Sequence, residues 1–320
     1  MKRILIIQTA FLGDVILATP LVSELNRLYP NAKIDFLVKK GNESLLANNP
    51  KLNSVHLFDK KNGKWKSLFG LIKQLRKSNY DLVVNLHRFG SSGLIAGLSK
   101  GKKRYGFKKN PFSFLYTKSF DHVIGDGTHE VERNLSVIRE FGAVSKSRPE
   151  LFPSKEDKQA ISVLIKEEYY CIAPASVWFT KQLPINKWTE LIQTLPQQEK
   201  IYLIGGENDI ELCETLAKKN PSHTIEILAG KLSLLKSAAL METATRNYVN
   251  DSGPLHLASS VNASVTAFFC STTPRFGFGP LSEDASVAEV NNLDCRPCGL
   301  HGHKACPKGH FKCAEEIELN

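Results

Sequence analysis

Three short stretches hold the residues best placed to do chemistry. Gln8-Thr9-Ala10-Phe11-Leu12-Gly13-Asp14 follows the apolar run Ile4-Leu5-Ile6-Ile7, so it reads as the turn beyond a strand, with a carboxylate where a helix should begin. Ligands of parallel α/β sheets bind beyond the carboxyl ends of the strands, and a Gly there lets backbone and substrate approach closely. Asp14 is thus positioned to act as a general base; the competing reading is that it only caps a helix from Val15 to Tyr29, since Asp is a favoured N-cap. The second stretch runs from Ala173 to Pro184 and carries Thr180 and Lys181 between a strand and a helix, where a phosphate could bind, although a lone loop lysine is commonly just surface. The third is Asn250-Asp251-Ser252-Gly253-Pro254-Leu255-His256. Its helix start offers unpaired amides and the positive end of a dipole to an anion. Alternatively, Asp251 or Ser252 is the cap and His256 a satisfied helix residue. The Gly205-Gly206-Glu207 turn is by default a tight turn, or by analogy supplies a ribose-binding carboxylate at Glu207.

The elements that must hold these stretches alternate in type. Short apolar, β-branched runs at 3–7, 33–38, 54–57, 81–86 and 103–106 are separated by helical-period segments near 15–29, 65–79, 90–98 and 130–142. The pattern then repeats, with strands at 170–173, 201–204, 224–228, 246–249 and 264–269 and helices near 185–195, 208–218, 232–241 and 253–261. Such alternation predicts parallel sheets covered on both faces. The polar stretch from Ser145 to Lys158, with Pro149 and Pro153, reads as the linker. A length of 320 residues with 42% apolar content fits two domains. No window approaches the ~20 apolar residues of a membrane span, and Met1 to Ile7 runs straight into a strand rather than toward a cleavage site. A cytoplasmic protein is expected.

Charge is lopsided. Residues 1–150 carry 26 Lys and Arg against 12 Asp and Glu, whereas the rest of the chain is mildly acidic. Between Lys60 and Lys109 only Asp81 opposes fourteen cations. A Lys-rich solvated surface would explain this blandly; the functional reading is that the first half meets something anionic. No helix-turn-helix, zinc-finger or aromatic RNA-binding signature accompanies the charge, which argues against nucleic acid. An anionic membrane surface fits better. The first turn also lacks the G-x-G-x-x-G of dinucleotide oxidoreductases.

Together the blocks resemble glycosyltransferase family 9, the bacterial lipopolysaccharide heptosyltransferases. The resemblance is carried by Gly13-Asp14-Val15 with Thr19-Pro20, Arg104-Tyr105-Gly106-Phe107, His129 to Leu135, the Thr180-Lys181 loop ending at Pro184, Asn250 to His256, and Phe268 to Pro274. It implies a GT-B fold: two doubly wound Rossmann-like domains facing across a cleft, an acceptor-binding domain at 1–152, a nucleotide-sugar domain at 153–300, and a Cys-rich tail with a final helix at 301–320 packing back on the first domain. It implies an inverting transfer from a nucleotide sugar, ADP-heptose foremost and another nucleotide sugar as the alternative, to an anionic Kdo-lipid A type acceptor. By the same resemblance Asp14 is the base, and Lys181 and Thr180 contact the donor phosphates. Asp251, Ser252, Gly253 and His256 form the diphosphate turn, and Glu207 is the ribose acid. Thr9, Gly13, Lys60, Lys61 and Lys64 lie on the acceptor side. Leu183 departs from the aromatic residue relatives often carry before the proline. No cofactor is required; a monomer working peripherally at the inner membrane is expected. A non-catalytic basic binder of lipopolysaccharide or nucleic acid is the alternative from another class, against which Asp14 and Lys181 both speak.

The tail spacing Cys295-x₂-Cys298-x₇-Cys306-x₆-Cys313, interleaved with His301, His303 and His310, offers enough ligands for a structural zinc site. Only one half has the C-x-x-C form, and cytoplasmic disulfides are disfavoured. Reduced thiols are the expectation, ahead of metal or disulfide.

Overall fold

The computed structural model describes residues 1–60, 64–144 and 147–319. The chain divides into two compact units, one of residues 1–124 and 130–152, the other of 125–129 and 153–320.

In the first unit the order is β1 (Arg3–Gln8), α1 (Leu12–Leu17), α2 (Thr19–Leu28), β2 (Lys33–Lys39), β3 (Ser54–Phe58), α3 (Lys64–Arg76), β4 (Leu82–Asn85), α4 (Gly90–Leu98), β5 (Lys103–Phe107), β6 (Lys118–Phe120) and α5 (Glu130–Ser136). The described strands form one parallel sheet in the order β3-β2-β1-β4-β5-β6. Ile4, Leu5, Ile6 and Ile7 are all fully buried, as a central parallel strand covered by helices on both faces demands. Winding reverses between β1 and β4, which pair from Ile4 with Leu82 to Ile7 with Asn85. Beneath the sheet's edge the buried Asp35 carboxylate accepts hydrogen bonds from Asn53, Ser54 and Tyr80, each at 2.7 Å. Burial opposes its charge, but these bonds and His56 hold its carboxyl well below the usual range.

The second unit runs α6 (Lys155–Ile161), β7 (Tyr169–Ala173), α7 (Ile185–Thr194), β8 (Lys200–Leu203), α8 (Ile210–Lys219), β9 (Ile225–Ile227), α9 (Leu234–Glu242), β10 (Arg246–Asn250), α10 (Gly253–Ser260), β11 (Val265–Phe269), β12 (Ala285–Glu289) and α11 (Lys312–Glu315). Its sheet is again parallel, in the order β12-β11-β10-β7-β8-β9, so the reversal falls between β7 and β10. Both units therefore have the same doubly wound topology.

Several expectations change. The helix foreseen from Val15 to Tyr29 is two helices meeting at Ala18, and the first starts at Leu12. Part of the foreseen linker is α6, nucleated by Ser154, whose hydroxyl accepts from Asp157 N–H at 3.0 Å; the Asp157 carboxylate accepts from Ser154 N–H in return, a reciprocal cap. The end of the chain does not join the first unit's core: Phe311, Cys313, Ala314 and Ile317 are buried with Trp188, Leu191 and Phe268 of the second unit. These are four apolar or thiol side chains in a short span, and burial in that core removes them from water. Short β6 and β12 were not foreseen.

Candidate active site

In the first unit the residues converge beyond β1 and β4, at the point where the winding reverses and a crevice must open. Thr9 is buried at the end of β1, with Oγ1 2.9 Å from Nδ1 of His87, which follows β4. Lys60 Nζ donates to the Thr9 carbonyl at 2.6 Å. The His87 ring is pushed down to about 3 by burial and by the charges of Lys60 and Arg88, so it is neutral at physiological pH.

Asp14 is the third residue of α1, not its cap residue. Its carboxylate accepts from Phe11 N–H at 3.2 Å, reaching back over the first turn. An ionised Asp in that position is normally favoured by the helix dipole, yet its carboxyl is pushed up to about 6. Burial is the largest cause and the negative charge of Glu130 the second; the Phe11 and Asp14 amides and Arg88 only partly offset them. Glu130 remains the anion of the pair. Burial works against its charge too, but His122 at 3.0 Å and Arg133 at 2.8 Å hold it below the ordinary range. Burial and the Glu130 charge together outweigh the helix start and the nearby cation, which leaves Asp14 the stronger base.

The second unit gathers its candidate residues beyond β7 and β10. Asn250 ends β10 and ties down the loop after β7: its Nδ2 donates to the Pro174 carbonyl at 2.8 Å, while its Oδ1 accepts from Leu183 N–H at 2.9 Å. Lys181 Nζ lies 2.7 Å from Asp251 Oδ2, which also accepts from Thr272 Oγ1 at 2.6 Å. The ammonium is thus aimed while two of its protons remain for a further acceptor. Ser252 precedes α10 without capping it; its hydroxyl leans to the Asn250 carbonyl at 3.4 Å. Gly253 opens the helix. His256 is buried, and its Nδ1 has no hydrogen-bond partner among the described residues. Burial, chiefly, pushes it down to about 4 against the pull of Asp251. Glu207 is exposed in the turn after β8, one strand over from β7.

Residues 68–308 match the family model described as Glycosyltransferase family 9 (heptosyltransferase). The chain belongs to glycosyltransferase family 9. It is 30% identical over 282 residues to lipopolysaccharide heptosyltransferase 3 of Escherichia coli strain K12, covering 82% of this chain and 81% of that one. Among solved structures it is similar to the glycosyl transferase family 9 protein from Veillonella parvula DSM 2008, with a TM-score of 0.81 at 23% identity over 89% of this chain and 85% of that one. It is also similar to E. coli ADP-heptose lps heptosyltransferase II, with a TM-score of 0.79 at 21% identity over 93% and 96%. The chain is therefore a glycosyltransferase, and its two Rossmann-like units are those of a GT-B fold.

Within this family 9 enzyme, Thr9, Gly13, Asp14 and Lys60 come together in the first unit, while Lys181, Asp251, Ser252, Gly253 and His256 come together in the second. Lys61 lies outside the described residues, and Lys64 is described only as the first residue of α3. Thr180 is placed differently from a phosphate ligand. It is 1% exposed, and its hydroxyl oxygen accepts from His303 N–H at 2.7 Å and Ser271 Oγ at 3.0 Å. A side chain wholly enclosed by its own fold braces the loop from beneath. Gly302 sits equally close: a Cβ there would stand 2.5 Å from Trp178 Cβ and 2.8 Å from Lys181 Cγ. Leu183, the departure from the family pattern, is buried in the second core. His87, Glu130 and Thr272 were not singled out as site residues. Only the position of His87 just past a strand hinted at it, since Glu130 and Thr272 act through charge and hydrogen bonds that spacing does not reveal.

The seven cysteines are free thiols. Cys295 Sγ lies 3.8 Å from His310 Nε2, and Cys298 Sγ donates to the Cys295 carbonyl at 3.1 Å. Among the described residues no group of three or more His, Cys, Asp or Glu is placed to hold a metal ion.

Proposed function

We propose that this enzyme transfers a heptose from ADP-heptose, with inversion, to an anionic lipid-linked acceptor of the lipopolysaccharide inner core at the cytoplasmic face of the inner membrane. The observation that carries the reading is the Asp14 carboxyl, raised to about 6 at the winding reversal of the first sheet. A base is most effective when its pKa lies near the working pH, and there Asp14 is both largely ionised and basic enough to take the proton of an acceptor hydroxyl. Lys181 and the amides at the start of α10 supply positive charge for the diphosphate that departs from an oxocarbenium-like transition state. Asp251 and Thr272 keep Lys181 oriented, and Thr180 holds the loop from below. Neutral His256 contributes a hydrogen-bonding nitrogen rather than a charge, and Glu207 takes the ribose. Thr9, Gly13, Lys60, Lys61 and Lys64 receive the acceptor, whose carboxylates and phosphates suit the basic first unit. No cofactor is needed beyond the two substrates, and one chain is the working unit.

A donor panel tests this directly. Incubation with ADP-heptose, UDP-sugars or GDP-sugars and a Kdo-lipid acceptor should release nucleoside diphosphate fastest from ADP-heptose. Preferential turnover of a UDP- or GDP-sugar would replace the donor assignment and leave the family standing.

A further inference from the structure

Helix α3 has two apolar faces. Leu68, Leu71, Ile72 and Leu75 lie in the first unit's core. On the outside, one turn apart, Trp65 and Phe69 are 61% and 58% exposed, their rings stacked with centroids 6.4 Å apart. Two large aromatics held in water on a helix whose core face is already filled mark an interaction surface. Lys66, Lys73, Arg76 and Lys77 are exposed on the same helix and just beyond it, and no Asp or Glu occurs between Asp59 and Asp81.

Aromatic rings beside cations on one exposed helical face are the composition of a helix that lies in a membrane interface. Charge decides the occupant. A second copy of the chain, packed through the same face, would set cation against cation, because a twofold contact joins identical patches. Lipid phosphates satisfy the cations while the headgroup zone takes the rings. We propose that α3 is a membrane-docking helix that lays Trp65 and Phe69 into the interface of an anionic phospholipid bilayer, with Lys66, Lys73 and Lys77 against its phosphates. α3 follows β3, so it begins on the same carboxyl edge of the sheet that carries Asp14. Docking there brings a membrane-held acceptor to that edge. This deepens the lipid-acceptor part of the function proposed above, but its readout requires no turnover.

The test is sedimentation of the full chain with vesicles of phosphatidylglycerol and phosphatidylethanolamine, beside vesicles of phosphatidylcholine alone. The anionic vesicles should bind and the neutral ones should not. Losing one cation weakens attraction to an anionic surface about fivefold, so Lys66→Gln with Lys73→Gln should weaken binding more than tenfold, and Trp65→Ala with Phe69→Ala at least as much. Both pairs are on the surface, and unchanged thermal melts verify folding. Tryptophan emission should shift to the blue on anionic vesicles, and the shift should vanish in Trp65→Phe, which retains Trp178 and Trp188. Undiminished binding by the aromatic double variant, or a blue shift surviving Trp65→Phe, would overturn the proposal. So would a dimer in sedimentation velocity that the aromatic pair abolishes while vesicle binding stays unaltered. Failure of the donor panel leaves this result untouched, so the two readings fail separately.

Discussion

An aspartate that titrates near pH 6 is half-protonated where an ordinary one is already an anion, and that difference is measurable in two ways. Turnover under saturating substrates should rise with pH through about 6 as Asp14 ionises, and Asp14→Asn should lose about 10²- to 10⁴-fold in kcat while still binding donor. Loss of donor affinity in equal measure would point to a folding defect instead. Stability should move the other way. Because the folded state raises this carboxyl from 3.8, the stability it contributes is complete below pH 4 and lost as pH rises through 6. Asp14→Asn should therefore be more stable than the parent above pH 7, by on the order of 2 kcal/mol, with the gain shrinking toward pH 4 in denaturant titrations. His87 and His256 have the opposite sign. Their depressed values confer stability that is present above pH 6.5 and lost as pH falls through the two folded values, about 4 and then 3. The location of Asp14 was legible from a strand followed by a Gly-Asp turn. Its basicity was not, because Glu130 belongs to a distant part of the chain and burial has no local signature.

At the scale of elements, the parallel alternation of strand and helix was readable from apolar periodicity, and both winding reversals fall beside stretches that had drawn attention for their chemistry. What periodicity concealed was shape inside the turns. Thr180 and Lys181 look equivalent in sequence, yet one is sealed beneath the loop and the other reaches Asp251 and stays partly exposed. The difference arises from the segment at 302–303, whose backbone exchanges hydrogen bonds with Thr180. Gly302→Ala should accordingly push on Trp178 and Lys181, weakening donor binding at least tenfold in a calorimetric titration while acceptor KM stays near that of the parent. A normal donor titration would show that the loop yields without consequence. In the first unit, Asp35→Ala removes the acceptor for Asn53, Ser54 and Tyr80. Stranding several buried donors should cost about 3 kcal/mol or more in unfolding free energy.

For the molecule as a whole, charge is divided unequally between the two halves. The first unit is strongly cationic and the rest of the chain slightly anionic, so salt should act on one substrate more than the other. Between 50 and 500 mM NaCl the KM for a phosphorylated acceptor should rise several-fold, while donor KM, which the proposed function ties to the partly buried Lys181, should change much less, as screening predicts. Equal sensitivity of both constants would mean that the basic surface plays no part in acceptor capture. This asymmetry was fully visible in composition, since it needs only counting. The destination of the chain's end was not, because a few apolar residues among cysteines do not specify which core will take them.

The brace on Thr180 lies 123 residues downstream of it. During synthesis at 5–20 residues per second, the loop bearing Lys181 leaves the ribosome many seconds before the segment that secures it. A nascent chain can fold its first unit and most of its second sheet while that loop still lacks its brace. The brace closes only once the final stretch has emerged, so the loop takes its finished form late in translation.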